Sequence, residues 1–149
     1  MITITNVFDT TSLNFHIKQE DFSLFLHEHL DRFTDDVSAI SKAIDYAFST
    51  EEGKGGFVLL AYDEKELVGG LVMNCTGMEE FVPENLLVYI AVHKSYRGKG
   101  IGSMLIQQAI ETSEGSIALH VEYDNPAVRL YERQGFKSKY REMRWERGS

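Results

Sequence analysis

The sequence predicts one α/β domain: a single mixed, mostly antiparallel, twisted sheet with helices on both faces. Three observations predict it. Residues 57–75, FVLLAYDEKELVGGLVMNC, are two apolar runs joined by a polar turn, the pattern of a β-hairpin. Residues 86–92, LLVYIAV, are apolar at every position, as in a central strand covered on both faces. A helical pattern then separates that run from IALHV at 117–121, so the second half reads strand–helix–strand. The 149 residues suit one domain, 1–149, with a real core, and they contain no repeat, low-complexity tract or linker.

Each element follows in order. ITITNV (2–7) alternates and predicts a first strand. From Lys18 to Leu30, Phe22, Leu24, Phe25, Leu26 and Leu30 make a helical apolar face. Ser38 to Ser49 offers Ile40, Ala43, Ile44, Ala47 and Phe48 at helical spacing, with Asp35 or Asp36 as N-cap. Gly55 and Gly56 open the hairpin, and a loop containing Pro83 leads to 86–92. Gly100 to Thr112 is helical, with Ile101, Met104, Leu105, Ile106, Ala109 and Ile110 on one side. IALHV predicts another buried strand. A short helix spans about Pro126 to Gln134, with Pro at its start and Gly135 just past its end. FKSKYREMRW (136–145) alternates and predicts a closing strand. The order is βααβββαβαβ.

Charge is unevenly spread. The net charge is −8, but residues 1–85 carry −11 and residues 86–149 carry +3. A solvated acidic face is one reading. The other is an anionic ligand on the C-terminal half and a cationic one near the N-terminal half. No basic stripe with interleaved aromatics appears, which disfavours nucleic acid. No apolar stretch approaches the ~20 residues of a membrane helix, so no membrane partner is expected. The start, MITITNVFDTT, lacks a basic, apolar leader. One cysteine, Cys75, excludes an internal disulfide, and a cytoplasmic location is expected.

The chemistry-bearing stretch is VHKSYRGKGIGSML (92–105), a strand-to-helix turn with three glycines and three cationic side chains. Amides at a helix N-terminus are unpaired and sit at the positive end of its dipole, and glycine lets an anion approach them. A turn that merely connects two elements is the alternative reading. The dinucleotide fingerprint GxGxxG fails at Ser103, although Glu122 lies where its acid would be. The P-loop pattern fails because Gly100 follows Lys99.

The pattern present is Arg-x-x-Gly-x-Gly: Arg97, Gly100, Gly102. With the apolar strand ending Ala91-Val92, the strand IALHV and NPAVRLYERQGF (125–136), the sequence resembles the GNAT superfamily of acyl-CoA-dependent N-acyltransferases over roughly residues 57–136. Residues 1–56 would then be the variable, acceptor-side helices. The resemblance implies acetyl-CoA as donor and no metal. Its pyrophosphate would lie on the amides of Arg97, Gly98, Lys99, Gly100, Ile101, Gly102 and Ser103. Its pantetheine arm would pair with Ile90, Ala91 and Val92 between splayed strands, a geometry that often accompanies a β-bulge.

Acetyl transfer to an amine needs a neutral nucleophile, a donor for the tetrahedral oxyanion and a proton for the leaving thiolate. By resemblance, Tyr131 is the acid; packing on Phe136 is the other reading of that side chain. Asn125 resembles the residue that bonds the pantetheine arm, with N-capping as its other reading. The family places that Asn seven residues before the Tyr, where this chain has Asp124. The Val92 amide would serve the oxyanion. The family's usual base, a Glu six residues before the Val, is Leu86 here. Some members carry the base on the next strand, five residues before the Asn; by that resemblance His120 is the first candidate, with a satisfied histidine on a buried strand as its other reading, and Glu122 and Glu84 follow.

Other residues invite weaker readings. His27-Glu28-His29 lacks the HExxH spacing, so these are surface or interface side chains. Cys75 reads as a core thiol. Phe15, Phe22, Phe25 and Phe33 read as core that could floor an acceptor pocket. The sequence thus predicts an enzyme that acetylates a primary amine on a small molecule or peptide. The alternative is a non-catalytic acyl-CoA-binding sensor. A homodimer is left open.

Overall fold

Pairing of the alternating N-terminal segment with the hairpin builds one side of the sheet. In the computed structural model, which describes residues 1–148, β1 (Ile2–Val7) pairs antiparallel with β2 (Gly56–Asp63). A two-residue turn at Glu64–Lys65 joins β2 to β3 (Glu66–Cys75). β3 pairs antiparallel with β4 (Asn85–Val92), and β4 pairs in parallel with β5 (Ile117–Leu119). Strand order is therefore β1-β2-β3-β4-β5.

The alternating faces of the strands make two cores. Helices α1 (Thr10–His16), α2 (Gln19–His29) and α3 (Val37–Ala47) cover one face. There Leu13, Phe22, Leu26, Ile40 and Ile44 pack on Val58, Leu60, Val72, Tyr89 and Ala91. Helix α4 (Ile101–Thr112) covers the other face, where Ile101, Leu105 and Ala109 pack on Phe57, Leu59, Leu71, Met73 and Leu87. The last helix is α5 (Ala127–Arg133). Among the described residues no helix is long and apolar enough to cross a membrane.

β4 carries a β-bulge. Val72 pairs with Tyr89 and Met73 with Leu87, so Val88 is an extra residue. Undisturbed alternation would put Leu87 and Tyr89 on one face. Instead Leu87 lies in the α4 core and Tyr89 in the α2–α3 core.

Several expectations are corrected. Helix α1 was not anticipated; Asp9 caps it by accepting from the Ser12 amide (2.7 Å). Seven residues are too few to show a period. Phe15, expected in the core, is exposed. Asp36 occupies the N-cap of α3 without a side-chain capping bond, and Asp35 accepts from the Tyr89 hydroxyl instead (2.5 Å). IALHV is half-buried and only three of its residues form a strand. Residues 137–147 form no strand. Phe136 and Tyr140 share one parity and Met143 and Trp145 the other, so a strand there would point apolar side chains both ways. Tyr140, Met143 and Trp145 are exposed.

Candidate active site

The site is built where β4 outlasts its neighbour. β5 pairs with β4 only at Asn85, Leu86 and Leu87. Beyond the bulge, the His93 amide donates to Val68 O (2.8 Å) and so faces β3. By the alternation of a ladder, Ala91 does the same, while Ile90 and Val92 turn their amides toward the gap that β5 leaves.

β4 runs into a 3-10 turn (Lys94–Tyr96), and then Arg97, Gly98, Lys99 and Gly100 lead to α4. Gly98 (φ 78°) and Gly100 (φ 83°) are left-handed, a conformation costing an L side chain about 1–2 kcal/mol. A Cβ on either would meet nothing within 4 Å, so this turn needs glycine for its backbone and faces open space. The first intrahelical bond runs from Met104 N to Gly100 O (3.1 Å), and no side chain caps the helix. The amides of Ile101, Gly102 and Ser103 therefore lack intrahelical acceptors at the positive end of α4. Gly102 has a different reason to be glycine. Its Cβ would lie 2.9 Å from Leu130 Cδ2 and 3.9 Å from Val92 Cγ2, so the end of β4, the start of α4 and α5 converge on it.

The cations of the turn are engaged by the protein. Arg97 donates to Val92 O (Nε, 3.2 Å), Asp31 (Nη1, 2.8 Å) and His29 O (Nη2, 2.7 Å). Lys94 Nζ lies 3.4 Å from Asp31, and Lys99 Nζ lies 4.8 Å from the centroid of the Tyr96 ring. Tyr96 donates to Glu66 (2.7 Å), which pushes its phenol up to about 12.

Tyr131, on α5 next to Leu130, is 8% exposed and contacts Phe136 edge-on (5.9 Å). Burial alone pushes its phenol up to about 12, so it stays protonated at neutral pH. Asn125 accepts from the Ala127 amide (2.9 Å), as a cap for α5. Asp124 pairs with Arg32 (2.5 Å), which holds its carboxyl below the usual range.

The three base candidates are not gathered together. Glu84 precedes β4, roughly 25 Å along the chain direction from Val92 at ~3.3 Å per residue. It accepts from the Ser116 amide (2.7 Å), which lowers its pKa, and packs against Gly115. It braces the α4–β5 connection. His120 is exposed, one residue past the pair Leu87–Leu119, at the level where the strands part. Glu122 is exposed in the β5–α5 connection, near enough to Arg32 to raise its pKa. Among the described residues no group of three or more His, Cys, Asp or Glu could hold a metal.

Sequence reasoning passed over Asp31 and His93 and read His29 as a surface or interface side chain, which its burial corrects. His29 is buried, and its ring lies 4.3 Å from that of His93 and 4.7 Å from that of Phe25. The i,i+4 spacing of Phe25 and His29 was a usable signal of a shared face. Nothing local signals the pairing of Asp31 with Arg97, 66 residues apart.

An open mixed sheet splayed beside a glycine turn defines an acyltransferase class of fold. The GNAT acetyltransferase domain profile matches residues 54–138, and the chain belongs to that family. A GNAT family acetyltransferase from Streptococcus pneumoniae TIGR4 superposes with TM-score 0.69 over 100% of both chains at 20% identity. Aminoglycoside N-acetyltransferase AAC(6')-Iy, in complex with CoA, gives 0.70 over 100% of this chain and 96% of that one at 14% identity. Ribosomal-protein-alanine N-acetyltransferase from Brucella melitensis biovar Abortus 2308 gives 0.62 over 98% and 99% at 19%. The cysteine-rich protein 2-binding proteins of Mus musculus and Homo sapiens are 38% identical over 56 residues, 37% of this chain. The chain spans 7% of the length of those curated relatives.

Proposed function

We propose that this protein transfers the acetyl group of acetyl-CoA to a primary amine by direct attack in a ternary complex. One observation carries the reading: the outward-turned edge of Ile90–Val92 runs directly into the uncapped start of α4. An extended donor with an amide-bearing arm and a diphosphate matches that sequence of groups. The turn amides from Arg97 to Ser103 would hold the diphosphate, and the β4 edge would pair with the pantetheine arm. The Val92 amide would donate to the tetrahedral oxyanion. As the amine nitrogen bonds to the carbonyl carbon, the C–S bond breaks and Tyr131 supplies a proton to the sulfur. His120, or Glu122 two residues further along the chain, would take the proton that the attacking amine loses.

The acidic N-terminal half favours a cationic acceptor, on a small molecule or a peptide. Among the structural relatives, one is named for aminoglycosides and one for a ribosomal-protein alanine, so the fold itself leaves that choice to the site.

Titration with CoA tests the reading. At 100 times Kd, binding adds about 2.7 kcal/mol of stability. The melting temperature should rise, and the amide signals of Gly98, Gly100 and Ile101 should shift. An unmoved melt and spectrum overturn the assignment. A CoA-release assay over amines and peptides then separates the enzyme from a sensor, which would bind donor and turn over none.

A further inference from the structure

The cations of the glycine turn are spent before any ligand arrives, and this bears on how an anion could be held there. Resting on the reading that the turn takes a diphosphate, we propose that Asp31 is a positioning residue for donor binding. It locks Arg97 and Lys94 against the end of α2, and Arg97 serves the anion through the backbone it fixes rather than through its own charge.

Three features support this. First, every guanidinium nitrogen of Arg97 donates to the protein: to the last carbonyl of β4, to the carbonyl of His29 and to the Asp31 carboxylate. One side chain thus ties the strand end to the helix end. Second, Asp31 is a non-glycine residue at φ 57°, a left-handed conformation that Asp tolerates better than most residues. That twist follows directly on α2 and leaves the carboxylate between two cations, 2.8 Å from Arg97 and 3.4 Å from Lys94. Its carboxyl is held below the usual range chiefly by the Arg97 hydrogen bond. Third, the same end of α2 grips the backbone of the turn. The Lys94 amide donates to His29 Nδ1 (3.2 Å), and the His29 and His93 rings contact each other tilted by 32°, with centroids 4.3 Å apart. On the opposite side Tyr96 holds Glu66. The segment before Gly98 is fastened from both flanks, while Gly98 and Gly100 stay open.

The clamp links the N-terminal helices to the donor turn. A preset array of amides binds an anion without first ordering a loop, which saves affinity.

A mutant cycle tests it. Asp31→Asn keeps the shape and tolerates the left-handed backbone; Arg97→Ala removes the staple. Coupled residues give non-additive effects. Each single variant should weaken CoA binding about tenfold, which is ~1.4 kcal/mol. The double variant should be no weaker than either, and the donor KM should rise with kcat nearly kept. Arg97→Lys, which retains charge without the fork, should behave like Arg97→Ala. If Arg97 instead contacts the diphosphate, Asp31→Asn frees it, and CoA binding holds or tightens; that result, or full additivity, overturns the proposal. Amide exchange without CoA gives a separate readout. Lys94 to Gly100 should exchange faster in Asp31→Asn, and unchanged exchange overturns the clamp. If wild-type protein fails to bind CoA, the acetyltransferase reading falls, while the exchange experiment still decides the clamp.

Discussion

Tyr131→Phe removes one oxygen from a ring that is 8% exposed and keeps its edge contact with Phe136. The phenol is pushed up to about 12 from an ordinary value near 10, and burial is the whole cause. Two units correspond to about 2.7 kcal/mol in favour of the neutral form. An acid this weak is roughly 3.5 units above a thiol near 8.5, so complete transfer to a thiolate is uphill by about 5 kcal/mol. Tyr131 is better suited to a strong hydrogen bond to the departing sulfur than to an early, full proton transfer. The expected loss in kcat is therefore at the lower end of acid catalysis, ~10², with CoA affinity nearly kept. A steady-state CoA-release assay reads this directly. The stability consequence has a definite sign. The folded pKa is raised, so the folded state holds more protons between pH ~10 and ~12. The stabilisation is complete below pH 10 and is lost as pH rises toward 12. Thermal melts of the wild type should therefore fall over that window more steeply than those of Tyr131→Phe. Unchanged turnover would remove Tyr131 from the chemistry, and parallel melting curves would refute the burial argument.

Gly100→Ala should cost about 1–2 kcal/mol through its left-handed backbone and should weaken CoA binding, although the new methyl meets nothing; calorimetry and melts check both. His120→Ala should leave the melting temperature unchanged, because the side chain is exposed, while lowering kcat by ~10²; unchanged turnover would pass the role to Glu122. Glu84→Gln should keep turnover, since Glu84 braces Gly115 and Ser116. Its lowered carboxyl pKa stabilises the fold above about pH 4.5, so the wild type, unlike the Gln variant, should lose that contribution as pH falls through the folded value.

What the sequence made legible was local. The hairpin, the continuous apolar run of β4 and the α4 stripe each show their period within about ten residues, and all three elements form, although Met104 and Ile110 of the expected stripe are exposed. The glycine turn was legible for the same reason: left-handed backbone needs glycine in place. Non-local facts were not legible. Asp31 reaches Arg97 across 66 positions and Arg32 reaches Asp124 across 92. The alternation of FKSKYREMRW promised a strand, but pairing needs a partner, and β5 offers only three residues. The hydrogen bond from the Ser116 amide to Glu84, 32 positions apart, was equally out of reach of local patterns.

One inserted residue organises the site. Were the strand regular through Val88, Leu87 and Tyr89 would share a face, and the amides of Ile90 and Val92 would point toward β3. With it, the register against β3 shifts, and Tyr89 turns into the α2–α3 core, where its hydroxyl reaches Asp35. The same shift points the amides of Ile90 and Val92 away from β3, on the stretch where β5 no longer pairs. The bulge turns these amides outward, the three-residue length of β5 leaves a gap before them, and the strand continues into the turn that Arg97 and Asp31 hold. A strand edge with outward amides leads into an uncapped helix start here because β4 is both bulged at Val88 and left unpaired at its end.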